Sequence, residues 1–269
     1  MAKDGMNQAC KICENDVDVY AEAIVLKKHN VHYFKCRNCG FIQTESPYWL
    51  DEAYSTPISD LDLGPVSRAF GSSFVVETLI LALFDYRGKF LDYGSGYGVF
   101  VRRMRDLGFN FFHFDKYCTN LFSKQFEAEF PSEGKYELIT AFEVFEHLTD
   151  PCEEIKSLAQ CSDNIFFSTY LVPETDPQPN DWWYFAVDHG QHISFYTAKS
   201  LEIMAARMGY HYCNDGDFQH LFSKKKVPQW KFRWLLKPKT SLFLGYVLGK
   251  YFKVKSLLLD DLAAVTRNE

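Results

Sequence analysis

The sequence predicts an α/β fold, in which a doubly wound parallel sheet follows a small ribbon that contains four cysteines. Three observations support this prediction: two C-x2-C pairs near the N-terminus, a glycine run that directly follows an apolar segment, and strand-like segments that alternate with helix-like ones. Such alternation is typical of a parallel sheet with helices on its faces. With 269 residues, of which 47% are hydrophobic, the chain can bury the core of one large or two smaller domains.

The composition and charge narrow the possible functions. A formal net charge of -6 disfavours wholesale binding to nucleic acid, although it does not exclude a local basic face. The N-terminus lacks the apolar core of a signal peptide, and no uncharged run approaches the ~20 residues that span a bilayer. We therefore expect a cytoplasmic protein without a membrane span, in which the eight cysteines are metal ligands or free thiols.

Residues 1–45 are predicted to form a zinc ribbon with short strands over 18–25 and 30–35. The cysteines of the two C-x2-C pairs are Cys10, Cys13, Cys36 and Cys39. Two such pairs offer four thiolates to Zn²⁺, and four cysteines leave no open coordination position, so we expect a structural zinc ion. Two redox C-x-x-C motifs are the alternative, which is disfavoured because neither pair lies at a strand-to-helix turn.

Residues 46–65 are rich in turn formers and are predicted to be a linker, and residues 66–226 form the predicted second domain. The domain begins with a helix over 66–84. The expected later elements are a strand over 88–93, a helix over 98–107, a strand over 109–115, a short helix over 118–124, a strand over 136–142, a helix over 151–160, a strand over 164–170, a helix over 198–208, and strands near 210–213 and 218–224. The loop over 171–197 is too long for a plain connection, which indicates a functional role.

The glycine run lies where the first strand of this domain turns into a helix. Glycines follow Asp92 at positions 94, 96 and 98, and this G-x-G-x-G spacing is one residue short of the dinucleotide pattern G-x-G-x-x-G. The spacing disfavours a nicotinamide cofactor, and leaves a nucleotide-like ligand and a plain turn as alternatives. Asp115 ends the next strand, at the same edge of the sheet, where its carboxylate can accept hydrogen bonds from two ribose hydroxyls.

These motifs together resemble the class I S-adenosylmethionine-dependent methyltransferases. The resemblance rests on the run LDYGSGYG, the acidic strand end at Asp115 and the run YELITAFEVFEHLTDP, and it spans roughly residues 66–226. It implies a seven-stranded Rossmann-like sheet, S-adenosylmethionine as the cofactor, and Asp115 as the residue that holds its ribose. The residues implied at the methionine portion are Asp92, Gly94, Ser95, Gly96 and Gly98. Those implied at the sulfonium side are Phe142 and Glu143.

Two acidic positions in the second run have a further interpretation. Glu143 is equally well explained as a carboxylate at a helix start, where the helix dipole favours negative charge. For Glu146 and His147 we expect a packing and hydrogen-bonding pair rather than a catalytic one.

Methyl transfer requires an aligned acceptor and, for a hydroxyl or a carbon acid, a base. His189 and His192 lie among aromatic residues of the long loop and are the candidate catalytic residues, with His192 as the candidate base. The alternative for His192 is a core histidine bonded to a backbone carbonyl. The segment is similar to that of bacterial small-molecule methyltransferases and of sugar C-methyltransferases with a four-cysteine module, whose Tyr-His-Glu-His run has Gln191 here in place of the glutamate. Glutamine is not a base, so O- or N-methyl transfer is favoured over C-methyl transfer.

Residues 227–269 form a predicted basic C-terminal extension. Ten basic residues and no acidic one occur between Lys224 and Lys255, with tryptophans among them. A solvated, partly helical tail is one interpretation, and a surface for anionic substrates, RNA or an anionic membrane face is the other. The predicted function is methyl transfer from S-adenosylmethionine to a small-molecule acceptor, such as an anionic nucleotide sugar or a sugar. The alternative is an RNA-binding protein, or an enzyme on RNA or protein, that uses the ribbon and the basic extension.

Overall fold

Two sheets organise the chain, a four-stranded one and a six-stranded one. The computed structural model describes residues 8–55, 63–131 and 135–266, so residues 56–62 of the predicted linker lie outside the described residues. The strands are β1 (Val17–Val25), β2 (His29–Cys36), β3 (Ile42–Thr44), β4 (Lys89–Tyr93), β5 (Asn110–Phe114), β6 (Leu138–Phe142), β7 (Asn164–Ser168), β8 (Ser194–Phe195), β9 (His211–Asn214) and β10 (Gln219–Ser223). The helices are α1 (Leu50–Ala53), α2 (Pro65–Leu83), α3 (Val99–Asp106), α4 (Pro151–Cys161), α5 (Ala198–Arg207), α6 (Gln229–Leu236), α7 (Pro238–Phe252) and α8 (Leu258–Thr266).

The six-stranded sheet has the order β5-β4-β6-β7-β10-β9. Its first four strands are parallel, whereas β10 runs antiparallel to both β7 and β9. The prediction of a wholly parallel sheet is therefore wrong at this edge. The reason is the turn between β9 and β10, where one carboxylate oxygen of Asp215 accepts hydrogen bonds from the backbone N–H groups of residues 217–219 and reverses the chain.

The predicted seventh strand is not formed in the part of the chain that the structure describes. Beside β5, at the place where it would lie, a single parallel bridge joins His113 to Glu127. The short helix predicted over 118–124 is also absent, and only a 3-10 turn over Lys124–Phe126 is present. Phe126, Ala128 and Phe130 alternate with glutamates as in a strand, but all three are only partly buried, and the segment pairs with β5 through the one bridge.

Helices cover both faces of the six-stranded sheet, as the alternation predicts. Neighbouring residues of one strand point to opposite faces. Phe90 packs with α2, α3 and α6, whereas Leu91 packs with α4, α5 and the cysteine ribbon. The core is thus divided by the sheet into two apolar layers.

The C-terminal extension is folded into three helices rather than a solvated tail. Helix α6 buries Phe232 and Leu235 against the sheet, and Ser241 of α7 accepts a hydrogen bond through its backbone carbonyl from the Thr78 hydroxyl at 2.6 Å. Helix α8 is joined to α3 by Asp261, which pairs with Arg105. By length and composition alone, α2 is apolar enough to cross a membrane. In this fold α2 packs against α3 and α7, and this packing accounts for its apolar side chains.

The long loop between β7 and α5 completes the sheet of the cysteine ribbon. Its strand β8 pairs antiparallel with β3, so the four-stranded order is β1-β2-β3-β8. The Trp49 indole N–H donates to the backbone carbonyl of Gly190 at 2.7 Å, and the Gln191 side chain donates to the backbone carbonyl of Ala53 at 2.8 Å. Strand β3 of the ribbon and the segment over 49–53 that follows it therefore hold the loop that carries His189 and His192.

Candidate functional site

A cleft of about 1170 Å³ lies at the carboxyl ends of β4, β5 and β6. At one end it is bounded by the glycine turn after β4, and at the other by the long aromatic loop. It brings together these predicted site residues: Asp92, Gly94, Ser95, Gly96, Asp115, Phe142, Glu143, His189 and His192. Gly98 is buried behind the turn as the N-cap of α3, with φ 83°.

The glycine turn requires glycine for steric reasons at two positions. Gly94 has φ +72°, and a Cβ there would lie 2.4 Å from Cγ2 of Val144. At Gly98 a Cβ would lie 2.6 Å from Oδ1 of Asn120. Because Gly94 is exposed to the cleft and carries no side chain, a ligand can approach the backbone closely.

Asp92 lies under this turn and is almost fully buried. The Thr140 hydroxyl donates to its Oδ1 at 2.6 Å. Burial raises the pKa of Asp92 to about 7, although the hydroxyls of Thr140 and Ser95 oppose the rise. The carboxyl group therefore titrates near neutral pH in the protein without ligands.

Asp115 fixes the turn through its carboxylate. Its Oδ2 accepts a hydrogen bond from the Gly96 backbone N–H at 2.8 Å, and its Oδ1 accepts from those of Tyr117 and Cys118 at 2.8 and 2.7 Å. A carboxylate has about four acceptor positions, so one remains for a ribose hydroxyl. The strand-end position of Asp115 predicted contacts to two ribose hydroxyls, and the three backbone donors already present leave one acceptor position.

Phe142 and Glu143 stand at the end of β6. Glu143 has φ 53°, in the left-handed region, and its backbone N–H donates to the Ser168 hydroxyl at 2.9 Å. Its carboxylate lies 3.5 Å from Nε of Arg68. No α-helix begins at Glu143, and a 3-10 turn over Phe145–His147 follows instead. The charge of Glu143 is therefore not placed at the N-terminus of an α-helix, as one interpretation of the sequence expected.

The two loop histidines differ in their surroundings. His192 donates from Nδ1 to the backbone carbonyl of Tyr184 at 2.6 Å, which leaves an unprotonated Nε2. Burial lowers the pKa of His192 to about 4, so its imidazole is neutral at pH 7. His189 also lines the cleft, three residues away. The backbone bond expected of a core histidine is thus present at His192, and a free nitrogen remains beside the cleft.

Glu146 and His147 form the wall next to His192. Nδ1 of His147 lies 3.0 Å from the Tyr54 hydroxyl, and its ring is 4.9 Å from that of His192. Glu146 is fully buried, and neither carboxylate oxygen has a hydrogen-bond partner among the described residues. Burial raises the pKa of Glu146 to about 8.

The hydroxyls of Thr169 and Tyr184 lie close enough to Glu146 to lower its pKa, which opposes the effect of burial, and they share one hydrogen bond at 3.0 Å. Of the expected Glu146–His147 pair, His147 makes its hydrogen bond with Tyr54. Sequence reasoning also missed Tyr54, in the predicted linker, since its placement depends on how the ribbon packs on the second domain.

The four cysteines form a cluster on the other side of the fold, next to α4 and α5. Their Sγ atoms lie within 4.8 Å of one another, with Cys10 to Cys39 at 3.6 Å and Cys13 to Cys36 at 3.4 Å. These distances exclude disulfides and approach the ~3.8 Å edge of a tetrahedron whose metal–sulfur bonds are ~2.3 Å. Backbone N–H groups of residues 38 and 39 point to the Cys36 sulfur at 3.4 Å. The cluster can bind a metal ion.

A family model described as a methyltransferase domain matches residues 72–213, which is more than half of the chain's 269 residues. No curated protein matches the chain.

Several solved structures are similar to the chain at low sequence identity. An O-methyltransferase family protein from Burkholderia thailandensis is 13% identical over 61% of this chain and 58% of its own, with a TM-score of 0.43. The magnesium protoporphyrin IX methyltransferase from Synechocystis PCC 6803 is 11% identical over 65% of this chain and 92% of its own, with a TM-score of 0.43. Human N-acetylserotonin methyltransferase is 12% identical over 66% of each chain, with a TM-score of 0.42. The match thus spans little more than half the length of the Burkholderia protein.

Proposed function

This chain belongs to the methyltransferase domain family as an S-adenosylmethionine-dependent methyltransferase, and we propose that it methylates an oxygen or nitrogen atom of a small molecule bound beside His192. The proposed acceptor class is a sugar or a nucleotide sugar. One observation carries the proposal: a single cleft joins the glycine turn to the aromatic loop with its two histidines. The cofactor and an acceptor can therefore lie next to each other in one space.

The residues around the glycine turn fit S-adenosylmethionine. Gly94 lets the ligand approach the backbone, and the remaining acceptor position of Asp115 suits a ribose hydroxyl. When bound, the cofactor supplies an electrophilic methyl group on a sulfonium sulfur. Phe142 and Glu143 line the same cleft as the glycine turn and the two histidines. A shared lining supports a cofactor whose methyl group is within reach of an acceptor beside His192.

The far end of the cleft suits a flat acceptor with polar groups. Trp182, Trp183 and Tyr170 line it, and the Trp183 side chain is 70% exposed. Aromatic faces bind the apolar face of a sugar ring, while polar groups at its edge find hydrogen-bond partners. Nε2 of His192 is the candidate proton acceptor here, because its lone pair is free and the imidazole is neutral.

We also propose that the cysteine cluster holds a structural zinc ion. Four thiolates in a near-tetrahedral group leave no position for a substrate, and their nearest neighbours are backbone N–H groups that favour charged sulfur. The cluster lies outside the cleft lining, so the ion has no direct part in methyl transfer.

Calorimetry and a labelled cofactor test the proposed activity. Titration of reduced protein with S-adenosylhomocysteine and with NAD should show binding of the former only. Incubation with methyl-labelled S-adenosylmethionine and fractionated host extract should then label a small molecule. Binding of NAD alone would overturn the proposal, and label found only in macromolecules would replace the acceptor class.

A second candidate acceptor is RNA, because α6 exposes Trp230 and Trp234 beside Arg233 and Lys237. Aromatic residues interleaved with cations bind single-stranded nucleic acid, and such binding weakens steeply with salt. Filter binding of RNA at low and high salt decides between the two. An absence of RNA binding at low salt removes this candidate.

A further inference from the structure

One carboxylate and two imidazoles converge at the acceptor end of the cleft. The ligand atoms of Glu146, His147 and His192 lie within 4.8 Å of one another. The two histidines line the cleft, and Glu146 is 0% exposed behind them. We propose that these three residues bind a divalent transition-metal ion, and that the ion holds an oxygen atom of the methyl acceptor.

The Glu146 carboxylate is the strongest argument for an ion. A buried carboxylate without a hydrogen-bond donor destabilises the fold, because it has lost its hydrogen bonds to water and no protein group replaces them. Neither of its oxygens has a hydrogen-bond partner among the described residues. A metal cation bound between the carboxylate and the imidazoles supplies the missing partner.

Both histidines are oriented as metal ligands are. The Nδ1–H of His192 donates to the Tyr184 carbonyl, and Nδ1 of His147 lies against the Tyr54 hydroxyl. Protein ligands to metals commonly use one imidazole nitrogen in such a contact, which fixes the ring and leaves the other nitrogen for the ion.

The backbone holds the two histidines at a fixed spacing. The Ile193 N–H donates to the Glu146 carbonyl at 2.8 Å, and the Ser194 hydroxyl donates to the Leu148 carbonyl at 2.8 Å. The long loop is therefore tied to the 3-10 turn on both sides of the cluster, so the three ligands are positioned before any ion binds.

The donor set indicates the kind of ion and of acceptor. Two imidazoles and one carboxylate bind Zn²⁺, Mn²⁺, Fe²⁺ or Co²⁺ and leave open coordination positions. A divalent ion bound by one carboxylate and two neutral imidazoles keeps a net positive charge. This charge favours an acceptor with a hydroxyl group that can lose its proton and become anionic. In methyl transfer the O–H bond of the acceptor breaks and its proton leaves to water. An electron pair on the acceptor oxygen then forms a bond to the methyl carbon, and the carbon–sulfur bond breaks with its electron pair remaining on sulfur.

This inference changes the role of His192. A single lone pair on Nε2 cannot both accept a proton and bind an ion, so His192 is a ligand rather than the base. The role of the ion in catalysis rests on the proposed function, whereas its binding does not. It also selects an oxygen acceptor over a nitrogen acceptor.

Mn²⁺ is the probe that separates this site from the cysteine cluster. Thiolates select zinc, while Mn²⁺ prefers oxygen and nitrogen donors. Protein treated with a mild chelator, with its cysteine-bound metal retained, is titrated with Mn²⁺ and the free ion is followed by electron paramagnetic resonance. We expect about one Mn²⁺ bound per chain, as one cluster of this donor type is found in the described residues.

Two variants and a matched control locate the ion. Glu146→Gln keeps the side-chain shape, and His192→Ala removes a ligand, so each should weaken Mn²⁺ binding by at least about tenfold. His189→Ala, in the same loop and outside the cluster, should leave Mn²⁺ affinity unchanged. No Mn²⁺ binding by the wild-type chain, or wild-type Mn²⁺ affinity in both Glu146→Gln and His192→Ala, overturns the inference.

Binding of S-adenosylhomocysteine to the same proteins keeps the two proposals apart. If S-adenosylhomocysteine binds and Mn²⁺ does not, the proposed metal site is wrong and the proposed function stands. If Mn²⁺ binds and the analogue does not, the proposed function fails alone. Calorimetry on Glu146→Gln also shows that the variant is folded.

Discussion

Asp92 connects the cleft to the stability of the fold. The side chain is 3% exposed, and burial raises its pKa to about 7, with the charge of Asp115 adding to the rise. An unfolded aspartate has a pKa of ~3.9. Between these two values the folded chain binds more protons than the unfolded one, so the contribution of Asp92 to stability is lost as pH rises.

Replacement of Asp92 tests this linkage. In Asp92→Asn the side chain no longer titrates, so the fall in the free energy of unfolding between about pH 4 and pH 7 should become smaller by a few kcal/mol. Urea denaturation at several pH values measures it. The exposed Asp51→Asn is the control and should keep the wild-type slope. An unchanged slope in Asp92→Asn would mean that Asp92 is ionised throughout this range.

Residues of the site differ in how far the sequence predicts them. The glycines, Asp115 and the cysteines are found by their spacing in the chain, because each set acts within one turn or one pair of knuckles. The environment of Glu146 is not predictable in this way, since it depends on Tyr184 and on residues of the loop that packs over it. The local signal is an acidic residue directly before a histidine, and that pair also fits a packed, hydrogen-bonded core.

At the level of elements, the glycine turn joins β4 to α3 under steric constraint from the segment after β6. Gly94→Ala would place a methyl group against Val144 at a left-handed backbone position. We expect this variant to weaken S-adenosylhomocysteine binding by about tenfold or more, for which a distortion worth ~1.4 kcal/mol suffices. Calorimetry measures the affinity.

A double variant separates the two causes of that loss. Gly94→Ala with Val144→Ala removes the clash and keeps the unfavourable φ, so part of the affinity should return. Val144→Ala alone provides the reference. Full affinity in Gly94→Ala would show that the turn does not approach the cofactor.

Helix α8 depends on a buried ion pair with α3. Asp261 accepts hydrogen bonds from Nε and a terminal nitrogen of Arg105 at 2.9 and 2.6 Å, and it contacts Arg102 at 2.9 Å. Burial alone would raise the pKa of Asp261, but the hydrogen bonds and charges of both arginines outweigh it, and the pKa is lowered. The pair therefore stabilises the fold above the pKa of an unfolded aspartate, and this contribution is lost as pH falls.

Breaking this pair should be costly because the Arg105 guanidinium would stay buried. Asp261→Asn should lower the free energy of unfolding by about 3 kcal/mol at pH 7. The difference from wild type should shrink as pH falls below about 4, where the carboxylate of the unfolded chain binds a proton, and it should be lost once pH falls through the lowered pKa of the folded chain. Urea denaturation checks both statements, with the exposed Leu262→Ala as control. A loss as small as that of the control would show that α8 is held by other contacts.

Most helices and parallel strands follow from local patterns, since the helices have an apolar face and the central strands are short apolar runs buried on both sides. The elements that were missed lack such a signal. Strand β8 has two residues and exists through its partner β3, far away in sequence. The antiparallel edge of the larger sheet depends on hydrogen bonds in the turn between β9 and β10. The seventh strand is not formed because little of the segment 118–131 is buried, and it pairs with β5 through a single bridge.

Across the whole molecule, the cysteine ribbon supports the long aromatic loop between β7 and α5. Its sheet is completed by β8, and Tyr33 and Ile42 of the ribbon share an apolar cluster with Tyr184 and Phe195 of the loop. The Thr197 hydroxyl donates to the Cys39 carbonyl at 2.6 Å, directly beside the metal-binding cysteines. A change at the cysteines is thus expected to reach the loop through backbone contacts.

Loss of the cysteine-bound metal should therefore loosen the aromatic loop as well as the ribbon. Cys36→Ser removes one thiolate, and the metal content should fall by about one ion per chain. Hydrogen exchange should become faster both in β1–β3 and in residues 182–196. Strand β4 should keep its protection because it lies in the other sheet, and so should α3, which packs on β4. Cys118→Ser, outside the cluster, is the control and should change neither. If the metal is lost and residues 182–196 keep wild-type exchange rates, the loop is held by the methyltransferase domain alone, and the ribbon does not support the acceptor site.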